Sequence, residues 1–194
     1  MHSLFKALLP ILRLLKYFIS IPMNDDDLCI SLINLFEHVF PSIVIIGGAD
    51  EPYYEAPKVE TKAKIFFKEN YPRSLLHEIA HYCLAGQKRR KLDDYGYWYT
   101  ECGRTSEEQE LFQQVEARPQ GLEKAMCKAI GIHFSPSLDD FSGRSMSEMF
   151  LKNLEVNYQE MITNPPPTAR IALEALMRAF PKLCVTAYNP LTGE

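Results

Sequence analysis

A run of five residues, His77-Glu78-Ile79-Ala80-His81, limits what this chain can become more than any other part of it. Positions i and i+4 share a face of an α-helix, so the two imidazoles project together only if the run is helical. Together they can grip one metal ion, with Glu78 on the adjoining flank in reach of a metal-bound water. The flanks agree: Pro72 suits the first turn of a helix, and Gly86 suits its stop. Leu75, Leu76, Ile79 and Leu84 supply a buried face, so a helix over about 72–85 is expected. The run is short, and a buried histidine pair with Glu78 held by backbone donors would read the same way.

The rest of the chain sets the frame around that helix. Asp25–Phe40 carries apolar residues at helical spacing behind an acidic cap, and Pro41 ends it. Ser42–Ile46 and Ala63–Phe67 read as strands, and Asp50–Pro57 as a polar, aromatic loop. Ser106-Glu107-Glu108-Gln109 resembles a capping box that opens a helix through Glu116. Pro119 is expected to start a further helix to Ile130, and Pro165-Pro166-Pro167 splits a last pair near 145–163 and 168–180. The class is α+β, helix-dominant with a small β-sheet. Its 194 residues suit one domain with a full core.

Charge and cysteine usage exclude some roles. A net charge of −4 argues against general nucleic-acid binding. The five cysteines are odd in number and widely spaced with no C-x-x-C pair, which fits reduced thiols in the cytoplasm. Residues 1–22 are apolar and basic, but Lys6, Arg13, Lys16 and Pro10 break the run, so a membrane span is not expected. Three readings remain for 1–22: a membrane-surface segment, an extra helix, or a stretch upstream of a start at Met23. The last is favoured by Met23-Asn24-Asp25-Asp26-Asp27, and it leaves 23–194 as the domain.

A metal that keeps open positions typically has three protein ligands, so a third must join His77 and His81. His133 lies far downstream in a loop-like stretch, and Asp93-Asp94 would need a sharp return. Glu116 adjoins the buried edge of a later helix, beside Phe112 and Val115, and is the expected third ligand. Glu107, Glu108 and Glu110 read as first-turn carboxylates that complement the helix dipole. Two histidines and a carboxylate suit two chemistries. One is a zinc peptidase with Glu78 as general base; the other is a ferrous oxygenase that binds dioxygen. The ligand types do not separate them.

The stretch His77–Gly86, the basic run after it, and Asp94-Tyr95-Gly96-Tyr97-Trp98-Tyr99 closely resemble the elongation factor P hydroxylase family. So do Phe112–Gln120 and the early loop Gly48–Tyr54. The likeness covers most of the chain after Met23 and is densest from 76 to 120. It implies a zincin-like fold and an enzyme that hydroxylates the modified lysine of β-lysylated elongation factor P. It also implies Fe(2+) held by His77, His81 and Glu116, with dioxygen as co-substrate and Zn(2+) as a substitute. Two rivals are kept: the zinc metallopeptidase, and a non-catalytic module that binds elongation factor P.

Four further expectations attach to this reading. Lys88, Arg89, Arg90 and Lys91 are a candidate docking patch for an acidic partner, although charge runs are commonly solvated faces. Tyr97 and Trp98 could face a cationic side chain, with Asp94 and Glu51 as partners for its amines; core packing is the usual fate of such aromatics. Glu78 is the candidate catalytic residue, expected to orient a metal-bound water, hold an inner hydrogen-bond network or grip substrate from beside the ligands rather than serve as a peptidase base. His38 and His133 read as packing or surface histidines.

Overall fold

The computed structural model describes residues 24–96, 105–137 and 146–181. Residues 1–22, Tyr97, Trp98 and Tyr99 lie outside the described residues. Helix α1 (Asp25–Val39) starts where the Asn24 side chain accepts the Asp27 N–H at 2.8 Å, with three aspartates in its first turn. Both features favour the positive end of a helix. Its Leu28, Cys29, Leu32 and Phe36 are buried.

Three strands follow: β1 (Ile43–Ala49), β2 (Tyr53–Glu55) and β3 (Ala63–Lys68). The sheet order is β1-β3-β2, with β1 parallel and β2 antiparallel to β3. Ile43 pairs with Ala63 and Ile46 with Phe66; the register then shifts before Ala49. Gly47 sits at that shift, where a Cβ would come within 2.7 Å of the Phe67 ring. Along β3, the alternate residues Ala63, Ile65 and Phe67 are buried, and this strand packs on helix α2 (Pro72–Leu84).

Strand β2 is a departure from the expected loop at Asp50–Pro57. Three residues are too few to show alternation, and this edge is completed by side chains. Asp94 Oδ1 accepts the Tyr54 N–H at 2.9 Å, and Asp93 Oδ1 accepts the Ala56 N–H at 2.8 Å. To present these carboxylates, Asp94 and Tyr95 both adopt left-handed backbone, at φ 46° and 57°. Such conformations cost energy in non-glycine residues and persist where surrounding contacts hold them.

Helix α3 (Ser106–Ile130) is continuous through Pro119, so the expected new helix at Pro119 is corrected. An internal proline removes one backbone hydrogen bond and crowds the preceding turn, and burial along α3 outweighs that cost. The capping box is also displaced by one residue: Thr105 and Glu108 exchange its two hydrogen bonds, at 3.2 and 2.7 Å. Gly131, at φ 74°, closes the helix. Helices α4 (Glu148–Thr163) and α5 (Pro167–Ala179) follow, and short 3-10 segments at Arg89–Lys91 and Asp93–Gly96 lie between α2 and α3. The architecture is α+β and helix-dominant.

One continuous apolar cluster joins α1, the sheet, α2, α3 and α5, and a smaller one joins Ala117 to Phe150 and Leu154. No helix among the described residues is long and apolar enough to cross a membrane.

Candidate metal centre

Pro72 opens α2 at its first turn, and the following residues bury Leu75, Leu76, Ile79 and Ala80. That packing fixes the rotation of the helix. His77 and His81 are thereby turned toward α3, with ring centroids 4.7 Å apart and their Nε2 atoms separated by 3.1 Å. Glu116 meets them from α3, and its carboxylate spans the pair: Oε2 lies 3.4 Å from His77 Nε2, and Oε1 lies 3.4 Å from His81 Nε2.

Donor atoms about 2.1 Å from one ion, at angles between octahedral and tetrahedral, lie roughly 3.0–3.4 Å apart. The separation of the two Nε2 atoms falls in that range, and so does the distance from each Nε2 to its own nearer Glu116 oxygen. His77, His81 and Glu116 form a group that could hold a metal ion. The donor set fits a divalent cation of the zinc or ferrous type, since it offers two imidazoles and one carboxylate.

The electrostatics favour a cation too. Burial opposes charge on His77, but hydrogen bonds to Glu116 and Glu123 outweigh it and raise the imidazole well above its ordinary range. Burial likewise opposes charge on Glu116, yet the His81 charge and hydrogen bonds to both imidazoles hold its carboxyl well below the usual carboxylate range. A cation at this point would take over the role of those protons.

Glu123 is a buried neighbour of the cluster that sequence reasoning missed. Its Oε2 lies 3.0 Å from His77 Nδ1, and its Oε1 accepts from Arg73 Nε and Nη2 at 3.0 and 2.8 Å. The signal was present: Glu123 follows Glu116 by seven residues, two helical turns along the same face. Buried polar residues mark that whole face at Gln109, Gln113, Glu116, Gln120 and Glu123.

The remaining candidate residues are dispersed. Glu78 is 8% exposed and close enough to Tyr95 to help burial raise the phenol well above its ordinary range. Tyr95 stacks on Tyr54 at 4.1 Å and faces the His81 ring at 6.3 Å. Asp94 is engaged by the Tyr54 N–H, whereas Glu51 is exposed between β1 and β2 and stands outside the three-donor cluster. Lys88, Arg89 and Lys91 are exposed. Arg90 turns inward, donating to the Tyr82 carbonyl at 3.0 Å and to Thr168 at 3.3 Å. His38 and His133 are exposed.

Residues 34–188 match the family model described as elongation factor P hydroxylase. A protein of Haemophilus influenzae named elongation factor P lysine hydroxylase is 39% identical over 119 residues. That alignment spans 61% of this chain and 66% of the relative, just short of two thirds of the relative's length. The family match takes in both α2 and the whole of α3, and therefore every residue of the three-donor cluster. The chain belongs to the elongation factor P hydroxylase family.

Proposed function

We propose that this chain hydroxylates the β-lysylated lysine of elongation factor P, using Fe(2+) held by His77, His81 and Glu116. The observation that carries the reading is the convergence of two imidazoles and one buried carboxylate, 3.1–3.4 Å apart, in a chain of this family. Bound ferrous iron with open positions supplies dioxygen activation, the chemistry needed to place one oxygen atom in a carbon–hydrogen bond. Zn(2+) is a substitute the same donors would accept without redox capacity.

The chain's own residues have separate tasks. His77 and His81 present Nε2 lone pairs, and Glu116 brings the negative charge. The His77 side chain is 21% exposed and that of His81 11%, so His77 is the more accessible of the two rings. Glu78 acts from the flank, orienting groups at the centre through its buried carboxylate. Tyr95, packed between Tyr54 and His81, walls the centre on the sheet side. Glu51 remains a candidate for the substrate's amines, and exposed Lys88, Arg89 and Lys91 remain candidates for docking an acidic partner. Residues 23–194 are taken as the catalytic domain and 1–22 as an extension to it. A cytoplasmic setting belongs to the same reading.

The test is mass spectrometry of β-lysylated elongation factor P after aerobic incubation with the ferrous-loaded chain and a reductant, with His81→Ala as control. A gain of one oxygen atom on the modified lysine, absent in the control, is the expected result. No gain at full iron occupancy would overturn the reading. Cleavage of peptides by the zinc-loaded chain, lost in Glu78→Gln, would replace it with the peptidase.

A further inference from the structure

We propose that Glu123 is a positioning residue for the metal centre, holding His77 in one tautomer and one orientation, with Arg73 locking Glu123 in place. The inference rests on the reading that the three-donor cluster binds a cation, and it is independent of which reaction follows.

The two oxygens of Glu123 divide the work. Oε2 faces His77 Nδ1 at 3.0 Å, while Oε1 takes both Arg73 hydrogen bonds. An ionised carboxylate has no proton to give, so the hydrogen in the first contact belongs to Nδ1. With the proton on Nδ1, the lone pair of the neutral ring lies on Nε2, the atom that meets His81 and Glu116. Nδ1 and Nε2 point away from opposite sides of the ring. Glu123 therefore cannot reach an ion bound at Nε2, and it supports the site without ligating it.

A plain ion pair between Arg73 and Glu123 would account for neither the His77 contact nor the supports around it. Arg73 also donates from Nη2 to the Ser135 carbonyl, and its guanidinium lies 5.2 Å over the Phe134 ring. One turn before Glu123, Gln120 gives its amide N–H to the Ser137 carbonyl at 2.6 Å and accepts the Ser137 N–H at 3.1 Å. The segment after α3 is thus fastened at both ends of a two-residue step, and Arg73 is clamped between that segment and Glu123. A carboxylate is required here. The single oxygen of a glutamine would have to serve Arg73 or His77, but not both in this geometry.

Partners of this kind raise the basicity of a metal-bound imidazole, and their loss typically costs 10–100-fold in metal affinity. The test uses the purified full chain with Co(2+) and Zn(2+) as probes, in competition with a chelator. Glu123→Leu is expected to weaken binding by about 10–100-fold and to shift the visible Co(2+) absorption bands. Glu123→Gln keeps an acceptor but no charge, so it should fall between parent and Glu123→Leu. Arg73→Lys keeps the charge and loses the paired N–H groups, and a several-fold loss is expected. Thermal unfolding identifies any variant that fails to fold; if Glu123→Leu does, the near-isosteric Glu123→Gln decides. Affinity within twofold of the parent and unchanged Co(2+) bands in Glu123→Gln and Arg73→Lys would overturn the proposal. A chain that binds metal as expected but hydroxylates nothing would sink the hydroxylase reading and leave this one standing.

Discussion

The Arg90 guanidinium lies 4.1 Å over the Tyr82 ring and donates from Nε to the Tyr82 carbonyl at 3.0 Å. A residue inside a basic surface run is thus part of the packing that holds α2 to α5. Arg90→Ala should destabilise the chain by about 1–3 kcal/mol, from one stacked cation and its hydrogen bonds. Exposed Lys91→Glu should leave stability near that of the parent and, on the proposed function, raise the Michaelis constant for elongation factor P. Thermal melts beside steady-state kinetics separate the two effects; an unchanged melt for Arg90→Ala would contradict the assignment.

Gly121 carries the close crossing of α3 and α4. A Cβ there would lie 2.8 Å from the Tyr158 backbone nitrogen and 2.8 Å from Asn157 Cβ. Backbone cannot yield as a side-chain tip can, so Gly121→Ala should cost about 1–3 kcal/mol. The readout is the urea midpoint. Parental stability would mean that the helices separate at no cost.

Glu78→Gln should lower metal affinity by about 10–100-fold, and activity should fall in parallel with occupancy. Metal content measured in the same samples as turnover checks this. Full occupancy with lost turnover would instead give Glu78 a direct chemical part.

Three buried thiols, Cys29, Cys83 and Cys127, predict an alkaline limit to stability. Burial pushes Cys29 up to about 11 and Cys83 and Cys127 each up to about 12, from 9.0. In the folded chain these protons are retained after the unfolded chain has released them. Their contribution is therefore full below pH 9 and is lost as the pH rises toward 11 and then 12. Urea midpoints across that window should fall, and Cys127→Ala should blunt the fall. Near neutral pH, iodoacetamide should modify these three thiols only after unfolding.

Residues with a local signature were legible in the sequence. The i, i+4 histidines, the proline at the start of α2 and the aspartate-rich start of α1 each depend on neighbours in the chain. Glu116 was legible because its helix showed a buried edge. What escaped depends on distant partners. Strand β2 is completed by carboxylates some forty residues further along, at Asp93 and Asp94. Glu123 acquires its meaning from Arg73 and His77, which lie 50 and 46 residues earlier. Pro119 read as a boundary because local propensity disfavours it mid-helix, and only tertiary burial reverses that preference. Arg90 read as solvated because its ring partner is invisible to a charge count.

The three donor atoms come from two helices, and neither helix alone has enough of them. An ion here would act as a rivet through the α2–α3 seam, absent from any copy in which that seam has not closed. Loading and folding then form one equilibrium, so metal at a hundredfold excess over its dissociation constant adds about 2.7 kcal/mol to the folded state. Chelation should lower the melting temperature accordingly. Occupancy of the centre in a preparation becomes a census of the copies whose two helices have found each other.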